Sequence, residues 1–365
     1  MSHKPVYVTK PSLADLSEYM KILEGIWERG ILTHNGPLVQ EFEREVCSHF
    51  ELPGFVAVSN GTIALQMAIK ALGLKGEIIT TPFTWIATVS AIKWEGCKPV
   101  FCDIDADTLN LDPSKLEDAI TDQTSAIMPV HVFGNPCDVD EIERIAKKHQ
   151  LKVIYDAAHA IGSVYKNRSL LRYGDISATS LHATKILNTA EGGGCVSNDP
   201  NLVQKLRRIR FFGHDHEKEI VEDGFNGKMT EIHAGLGLVN IKHFHSVLAE
   251  RVRIYHTYIN GLKEIKTIKF QKTAKNSTSN YAYFPLILES QEKIHELTAA
   301  LENRNIYARR YFYPSVNRYR KVVDYQKTPI AESISDRILC LPSYSGLEDS
   351  TIKTIIEIVK EICCE

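Results

Sequence analysis

No stretch of this sequence approaches the roughly 18–20 consecutive apolar residues that a membrane span needs. Its first residues, Met1-Ser2-His3-Lys4-Pro5, lead into a charged amphipathic segment instead of a signal peptide's apolar run, so a cytoplasmic protein without a membrane partner is expected. A basic surplus is missing too. The chain sets 43 Lys and Arg against 45 Asp and Glu, a formal charge of −2, which argues against a nucleic-acid partner. Eight cysteines (Cys47, Cys97, Cys102, Cys137, Cys195, Cys340, Cys363, Cys364) include no C-x-x-C pair. Neither a zinc ribbon nor a thioredoxin-type site is therefore expected, and no metal; in a reducing compartment these residues serve as small hydrophobes. Internal repeats and low-complexity tracts are absent as well. With 44% apolar and 24% charged residues, the 365-residue chain has the balance of a soluble globular protein, long enough for one large domain and a smaller one.

What is present is an alternation. Short apolar runs at Phe55–Val58, Glu77–Thr80, Lys98–Cys102, Ala126–Val130 and Lys152–Tyr155 are separated by helical patterns such as Thr62–Leu72 and Asp138–His149. Strand–helix–strand repetition with near-continuous apolar strands predicts an α/β fold: a large, mostly parallel sheet covered by helices on both faces. Ligands in such folds gather beyond the carboxyl ends of the strands. After about residue 245 the rhythm changes. A helical stretch carrying Val247, Leu248, Val252, Ile254 and Tyr258 is followed by a polar loop (Lys272–Asn280), a strand-like Tyr281–Leu288 and helices at Gln291–Asn303 and Asp349–Cys363. The predicted division is a large domain over 1–245 and a smaller α+β domain over 246–365.

Three strand ends carry residues with chemical potential. Phe55–Val58 runs into Ser59-Asn60-Gly61-Thr62 and straight into a helix, where glycine permits close backbone approach and Thr62 adds a hydroxyl to first-turn N–H groups. Such a junction is a plausible phosphate cradle, although taken alone it reads first as an ordinary N-capped turn. Val153–Tyr155 ends in Asp156-Ala157-Ala158-His159, a carboxylate aimed at a ligand or a capping loop residue. Ile176–Thr179 leads into Ser180-Leu181-His182-Ala183-Thr184-Lys185 and then a glycine-rich Glu191–Gly194. A lysine so placed suits imine chemistry once partial burial frees its lone pair. Singly these are weak; together they supply the phosphate anchor, acid and amine that pyridoxal phosphate requires. Trp85, in Pro82-Phe83-Thr84-Trp85, is an aromatic candidate for the ring face. A dinucleotide-binding reading fails on context, because Gly235-Leu236-Gly237 sits inside a helical stretch and lacks the third glycine.

These segments, with Val130-His131-Val132-Phe133-Gly134 and Gly224-Phe225-Asn226-Gly227-Lys228-Met229-Thr230-Glu231, resemble the DegT/DnrJ/EryC1/StrS sugar-nucleotide aminotransferases, fold-type I pyridoxal-phosphate enzymes. The resemblance runs from about Leu13 to the C-terminus. It implies that Lys185 holds pyridoxal 5'-phosphate as a Schiff base and shuttles the proton, that Asp156 pairs with the pyridine nitrogen, and that Trp85 and His159 flank the ring. Gly61, Thr62 and Ser180 would bind the phosphate, joined by Asn226 from the other subunit of a homodimer with shared active sites. His34, Lys228, Arg309, Tyr311 and Tyr313 are implied substrate contacts. Thr33-His34-Asn35-Gly36-Pro37 departs from the plainer Ser-Gly-Pro of many members, and Gly235 replaces their usual alanine, a packing change. Ala183-Thr184-Lys185-Ile186-Leu187 and His159 are similar to the branch that aminates C4. The implied reaction is L-glutamate with a nucleotide-linked 4-keto-6-deoxy sugar, dTDP-4-keto-6-deoxy-D-glucose above all, for surface polysaccharide or glycoconjugate synthesis. The alternatives are amination at C3, a GDP- or UDP-linked sugar, and a non-catalytic regulatory protein; Lys185 speaks against the dehydratase branch, which carries histidine there.

Overall fold

The computed structural model describes residues 4–364, so Met1, Ser2 and His3 of the N-terminal segment lie outside the described residues. In chain order the elements that position the site are α1 (Leu16–Arg29), α2 (Pro37–His49), β1 (Phe55–Val58), α3 (Gly61–Ala71), β2 (Glu77–Thr80), α4 (Ile86–Trp94), β3 (Lys98–Phe101), β4 (Thr124–Met128), α5 (Val139–His149), β5 (Lys152–Asp156), β6 (Ile176–Ser180), β7 (Gly193–Val196), α6 (Pro200–Ile209), α7 (Glu231–Lys242) and α8 (Phe244–Leu262). The seven strands form one sheet in the order β1-β7-β6-β5-β4-β2-β3. All neighbours are parallel except β7, which runs antiparallel to both β1 and β6.

The period-2 geometry of strands sorts the apolar runs onto two faces. Phe55, Ala57, Ile79, Ile127 and Val153 pack with Phe42 and Val46 of α2, Ile142 and Ile145 of α5, and Leu238 of α7. Their neighbours Val56, Val58, Ile78, Ala126 and Ile154 pack on the opposite face with Met67 and Ile69 of α3, Ile92 of α4 and Leu206 of α6. The result is the expected sheet with helices on both faces. Among the described residues no helix is long and apolar enough to cross a membrane. Gly235 is a packing residue: a Cβ there would lie 2.6 Å from the Ile22 side chain, where α7 crosses α1.

A further core draws on α8 (Ile254, Tyr258), α9 (Gln291–Glu302) and a C-terminal helix, Asp349–Cys363, which pack on an antiparallel three-stranded sheet of Lys269–Phe270, Phe284–Ile287 and Ile338–Leu341. The strand predicted over Tyr281–Leu288 begins only at Phe284, and Tyr281 has a φ of 51°, in the left-handed region that ends extended structure. The polar loop predicted over Lys272–Asn280 contains Ser277–Thr278, which pairs with Val164–Tyr165 and ties this part of the chain back to the first.

The glycine-rich Glu191–Gly194 is also more than a loop, since Gly193 opens strand β7. A Cβ on Gly193 would sit 2.5 Å from the Asn60 carbonyl carbon, and one on Gly194 would lie 2.2 Å from the Phe55 ring. Only bare backbone fits between β1 and β6 at this level. Gly193→Ala is expected to displace the Asn60 turn and cost about 1–3 kcal/mol of stability, read as a lowered urea midpoint; an unchanged midpoint would show that the turn yields freely.

Candidate active site

Strands β1, β5 and β6 deliver their carboxyl ends to one cleft of about 350 Å³. At the first, Asn60 caps α3, its Oδ1 accepting from the Ile63 N–H at 2.9 Å. The N–H groups of Gly61 and Thr62, in the first helical turn, have no intrahelical acceptor and carry the positive end of the helix dipole. A Cβ on Gly61 would come within 2.9 Å of the Ser180 Cβ, so the missing side chain brings the α3 turn and the end of β6 together. Ser180 Oγ accepts from the His182 N–H at 3.3 Å, turning the chain toward Lys185.

Asp156 closes β5 and is 5% exposed. Its Oδ2 accepts from Thr88 Oγ1 at 2.7 Å and its Oδ1 from the Ala158 N–H at 3.1 Å. Because the Thr88 proton is committed to Asp156, Thr84 Oγ1, 2.7 Å away, donates to Thr88 in turn. Burial raises the Asp156 carboxyl above the usual carboxylate range, opposed by these hydrogen bonds and by the Lys185 charge. His159 lies in an aromatic group, 4.8 Å from the Tyr283 ring and parallel to Phe133 and Phe312 at 6.1 Å. Its Nδ1 is buried without a partner, and burial, helped by the nearby Lys185 charge, drops its pKa well below the ordinary histidine value, keeping the ring neutral.

The Lys185 ammonium donates to Tyr283 Oη at 3.4 Å. Burial lowers its pKa to about 8; Asp156 pulls in the opposite direction, while Arg251 adds to the lowering. Arg251, fully enclosed behind Tyr283, donates through one Nη to the carbonyls of Ala282 and Ser343 at 2.9 and 3.0 Å.

The structure thus brings Gly61, Thr62, Trp85, Asp156, His159, Ser180, Lys185, Arg309 and Tyr311 to one cleft, with Trp85 at its rim and 52% exposed. His34, Asn226, Lys228 and Tyr313 are not among its lining residues. The Tyr313 ring packs under the Arg310 guanidinium, 3.3 Å away. The other three gather elsewhere. The His34 ring meets Phe211 edge-on at 5.4 Å, Lys228 Nζ lies 4.6 Å from the same Phe211 ring, and Asn226 bridges to Phe211 through the backbone. Arg210 Nη2 holds Asn35 at 2.9 Å, and the Glu231 carboxylate caps α2 through the N–H groups of Leu38 and Val39, both at 3.0 Å.

Thr84, Thr88, Tyr283 and Arg251 complete the site and are not among the residues that the sequence points to. The spacing of Thr84 and Thr88, one helical turn apart after a strand end, is a signal for the first pair. Tyr283 and Arg251 carry none, since their position depends wholly on how the C-terminal part of the chain packs.

Residues 15–360 match the DegT/DnrJ/EryC1/StrS aminotransferase family. A dTDP-4-amino-4,6-dideoxy-D-glucose transaminase of Shigella dysenteriae is 42% identical over 98% of this chain and 99% of its own length, and one of Escherichia coli is 39% identical with the same coverage. A GDP-perosamine synthase of Escherichia coli O157:H7 is 33% identical over 99% of each chain. Among solved structures, DesI in the presence of its TDP-sugar product superimposes with a TM-score of 0.94 at 30% identity, covering 99% of this chain and 93% of DesI. Helicobacter pylori PseC, an aminotransferase involved in the biosynthesis of pseudoaminic acid, does so with a TM-score of 0.91 at 26% identity over 99% of each chain.

Proposed function

The chain belongs to the DegT/DnrJ/EryC1/StrS aminotransferase family, and from that premise we propose that it moves the amino group of L-glutamate to C4 of a nucleotide-linked 4-keto-6-deoxy sugar. The substrate is dTDP-4-keto-6-deoxy-D-glucose and the product dTDP-4-amino-4,6-dideoxy-D-glucose, the compound named in the two transaminase relatives above. The observation that carries the reading is the meeting of the α3 cradle, Asp156 and Lys185 in one cleft.

Pyridoxal 5'-phosphate is the cofactor, and the cleft fits it. The cradle has free first-turn N–H groups where a Cβ on Gly61 would intrude, the carboxylate is buried, and the lysine pKa is lowered. When bound, the cofactor supplies an aldehyde for amines and a ring that takes up electrons. Gly61, Thr62 and Ser180 would bind its phosphate. Asp156, oriented by Thr88, would keep the proton on the pyridine nitrogen. Trp85 and neutral His159 would flank the ring, and an uncharged imidazole avoids repelling a pyridinium. Lys185 would hold the aldehyde carbon and, as the acid–base group, would take the proton from Cα of glutamate in the first half of the reaction and deliver one to C4 of the sugar in the second.

Lys185 must be an unprotonated amine to capture the aldehyde. With a pKa of about 8, roughly a tenth of it is neutral at pH 7, against about one part in three thousand at the ordinary value. The rate of cofactor uptake by cofactor-free protein is therefore expected to rise with pH and level off above about 8, followed by absorbance. A rise continuing toward pH 10 would contradict the lowering.

The enzyme works as a homodimer with shared sites, a reading supported by Asn226, Lys228 and His34 clustering outside their own cleft, beside the exposed Phe212, Ile220 and Val221. Asn226 then serves the neighbour's phosphate. Mixing Lys185→Ala with Asn226→Ala chains should restore activity toward a quarter to a half of wild type, because one site of each heterodimer regains both groups; no recovery despite subunit exchange would refute sharing. The division into domains 1–245 and 246–365 is supported by the separate core that begins at Ile254. A cytoplasmic setting, with the product passing to surface polysaccharide, is supported by eight free thiols.

The decisive experiment incubates the enzyme and glutamate with 4-keto and 3-keto sugar nucleotides separately and locates the new C–N bond by NMR. Amination at C4 of the dTDP sugar is expected. Amination at C3, or of a GDP- or UDP-linked sugar only, would overturn the substrate while leaving the aminotransferase.

A further inference from the structure

One cleft must receive two unlike substrates in turn: a small dicarboxylate and a sugar carrying a nucleoside diphosphate. They share no outline, but each presents closely spaced anionic oxygens, the pattern a guanidinium fork binds in two-pronged fashion. Among the described residues, Arg309 is the one arginine lining the cleft. Its backbone is tied to Cys340 in both directions, N–H to carbonyl at 3.1 Å and carbonyl to N–H at 2.8 Å. Its guanidinium lies 4.7 Å from the centroid of Tyr311 and 5.7 Å from that of Trp85. Aromatic faces hold such a group in place without neutralising it.

Its charge is also uncommitted. Arg208 is paired with Glu222, Arg210 with Glu43, and Arg318 with Glu332 and Asp336, whereas Arg309 has no ion pair among the described residues. The other basic groups that this chain gives to its own cleft are otherwise engaged. His159 is kept neutral, His182 faces Glu191 at 3.7 Å, and Lys185 is reserved for the chemistry. We propose that Arg309 is a shared anion clamp, which rests on the transaminase reading above. It grips a carboxylate of the amino donor in the first half of the reaction and the diphosphate of the sugar nucleotide in the second. One fork cannot hold both, so the two ligands exclude each other.

The test uses the holoenzyme and two unreactive probes: glutarate, for the dicarboxylate, and dTDP, for the nucleotide diphosphate. Calorimetry gives the affinity of each alone and of each with the other present. Wild type should bind both, in competition. Arg309→Gln should weaken both by about tenfold or more, and Arg309→Lys, which keeps the charge but not the fork, should recover part of each. Melting temperature is followed in parallel, and the exposed position of Arg309 leads us to expect it unchanged. Loss of one affinity without the other, or simultaneous binding of both probes to wild type, would overturn the clamp while the C–N bond found by NMR keeps the transaminase standing. A wild type that neither consumes glutamate nor binds dTDP would overturn the transaminase reading and the clamp with it.

Discussion

Lys185→Ala is expected to lower turnover by roughly four orders of magnitude, the upper end of the range associated with losing a positioned acid–base group. The loss is larger than for any other single residue of the cleft because two tasks end together: anchoring the aldehyde and moving the proton. The fold should survive. Lys185 is partly buried, its ammonium has a single long hydrogen bond to Tyr283, and burial already disfavours its charge. Borohydride reduction followed by peptide mapping should label Lys185 in wild type and no peptide in the variant. A label on another lysine, or residual turnover above a tenth, would reassign the amine.

Asp156→Asn is expected to cost about two to three orders of magnitude in turnover, the scale of removing one preorganised electrostatic partner. An amide cannot hold the pyridinium proton as a carboxylate does. The stability effect has the opposite sign. In the cofactor-free protein burial raises the Asp156 pKa, so the folded state binds the proton more tightly than the unfolded one. Stability then falls as pH rises from the unfolded pKa to the folded one, and above that window the carboxylate remains a net cost. The neutral variant should therefore melt no lower than wild type at neutral pH while losing activity. A variant that is both inactive and unfolded would mean that the carboxylate is structural.

Lys185 and Asp156 were legible in the sequence for a shared reason. Each follows a strand made of a near-continuous apolar run, and the carboxyl ends of parallel strands converge wherever they lie along the chain. The same runs announced β1 to β6. Strand β7 was hidden because Gly-Gly-Cys-Val offers little side-chain signal; its glycines answer to Asn60 and Phe55, over a hundred residues earlier. Thr88 offers only its spacing from Thr84, and its bond to Asp156 emerges once α4 is laid against β5. Tyr283 reaches Lys185 only through the packing of the C-terminal sheet. The resemblance supplied His34, Asn226 and Lys228 and implied that Asn226 serves the other subunit's site, and in one chain all three stand apart from the cleft.

The placement of β7 also sets an order of assembly. Val58, immediately before the cradle, pairs with Gly193, and Gly193 pairs with Ser180 on its other side. During synthesis, β1 therefore waits for a partner until the chain has been made past Val196, long after the parallel strands β2 to β5 are available to one another. Closing so large a loop is entropically slow, and the two ends it unites are the phosphate cradle and the strand that leads to Lys185. A nascent chain that already carries its lysine has no finished anchor. The phosphate anchor is thereby complete only once the sheet is closed, and a fragment ending before Gly193 holds both halves of the cradle without the strand that joins them.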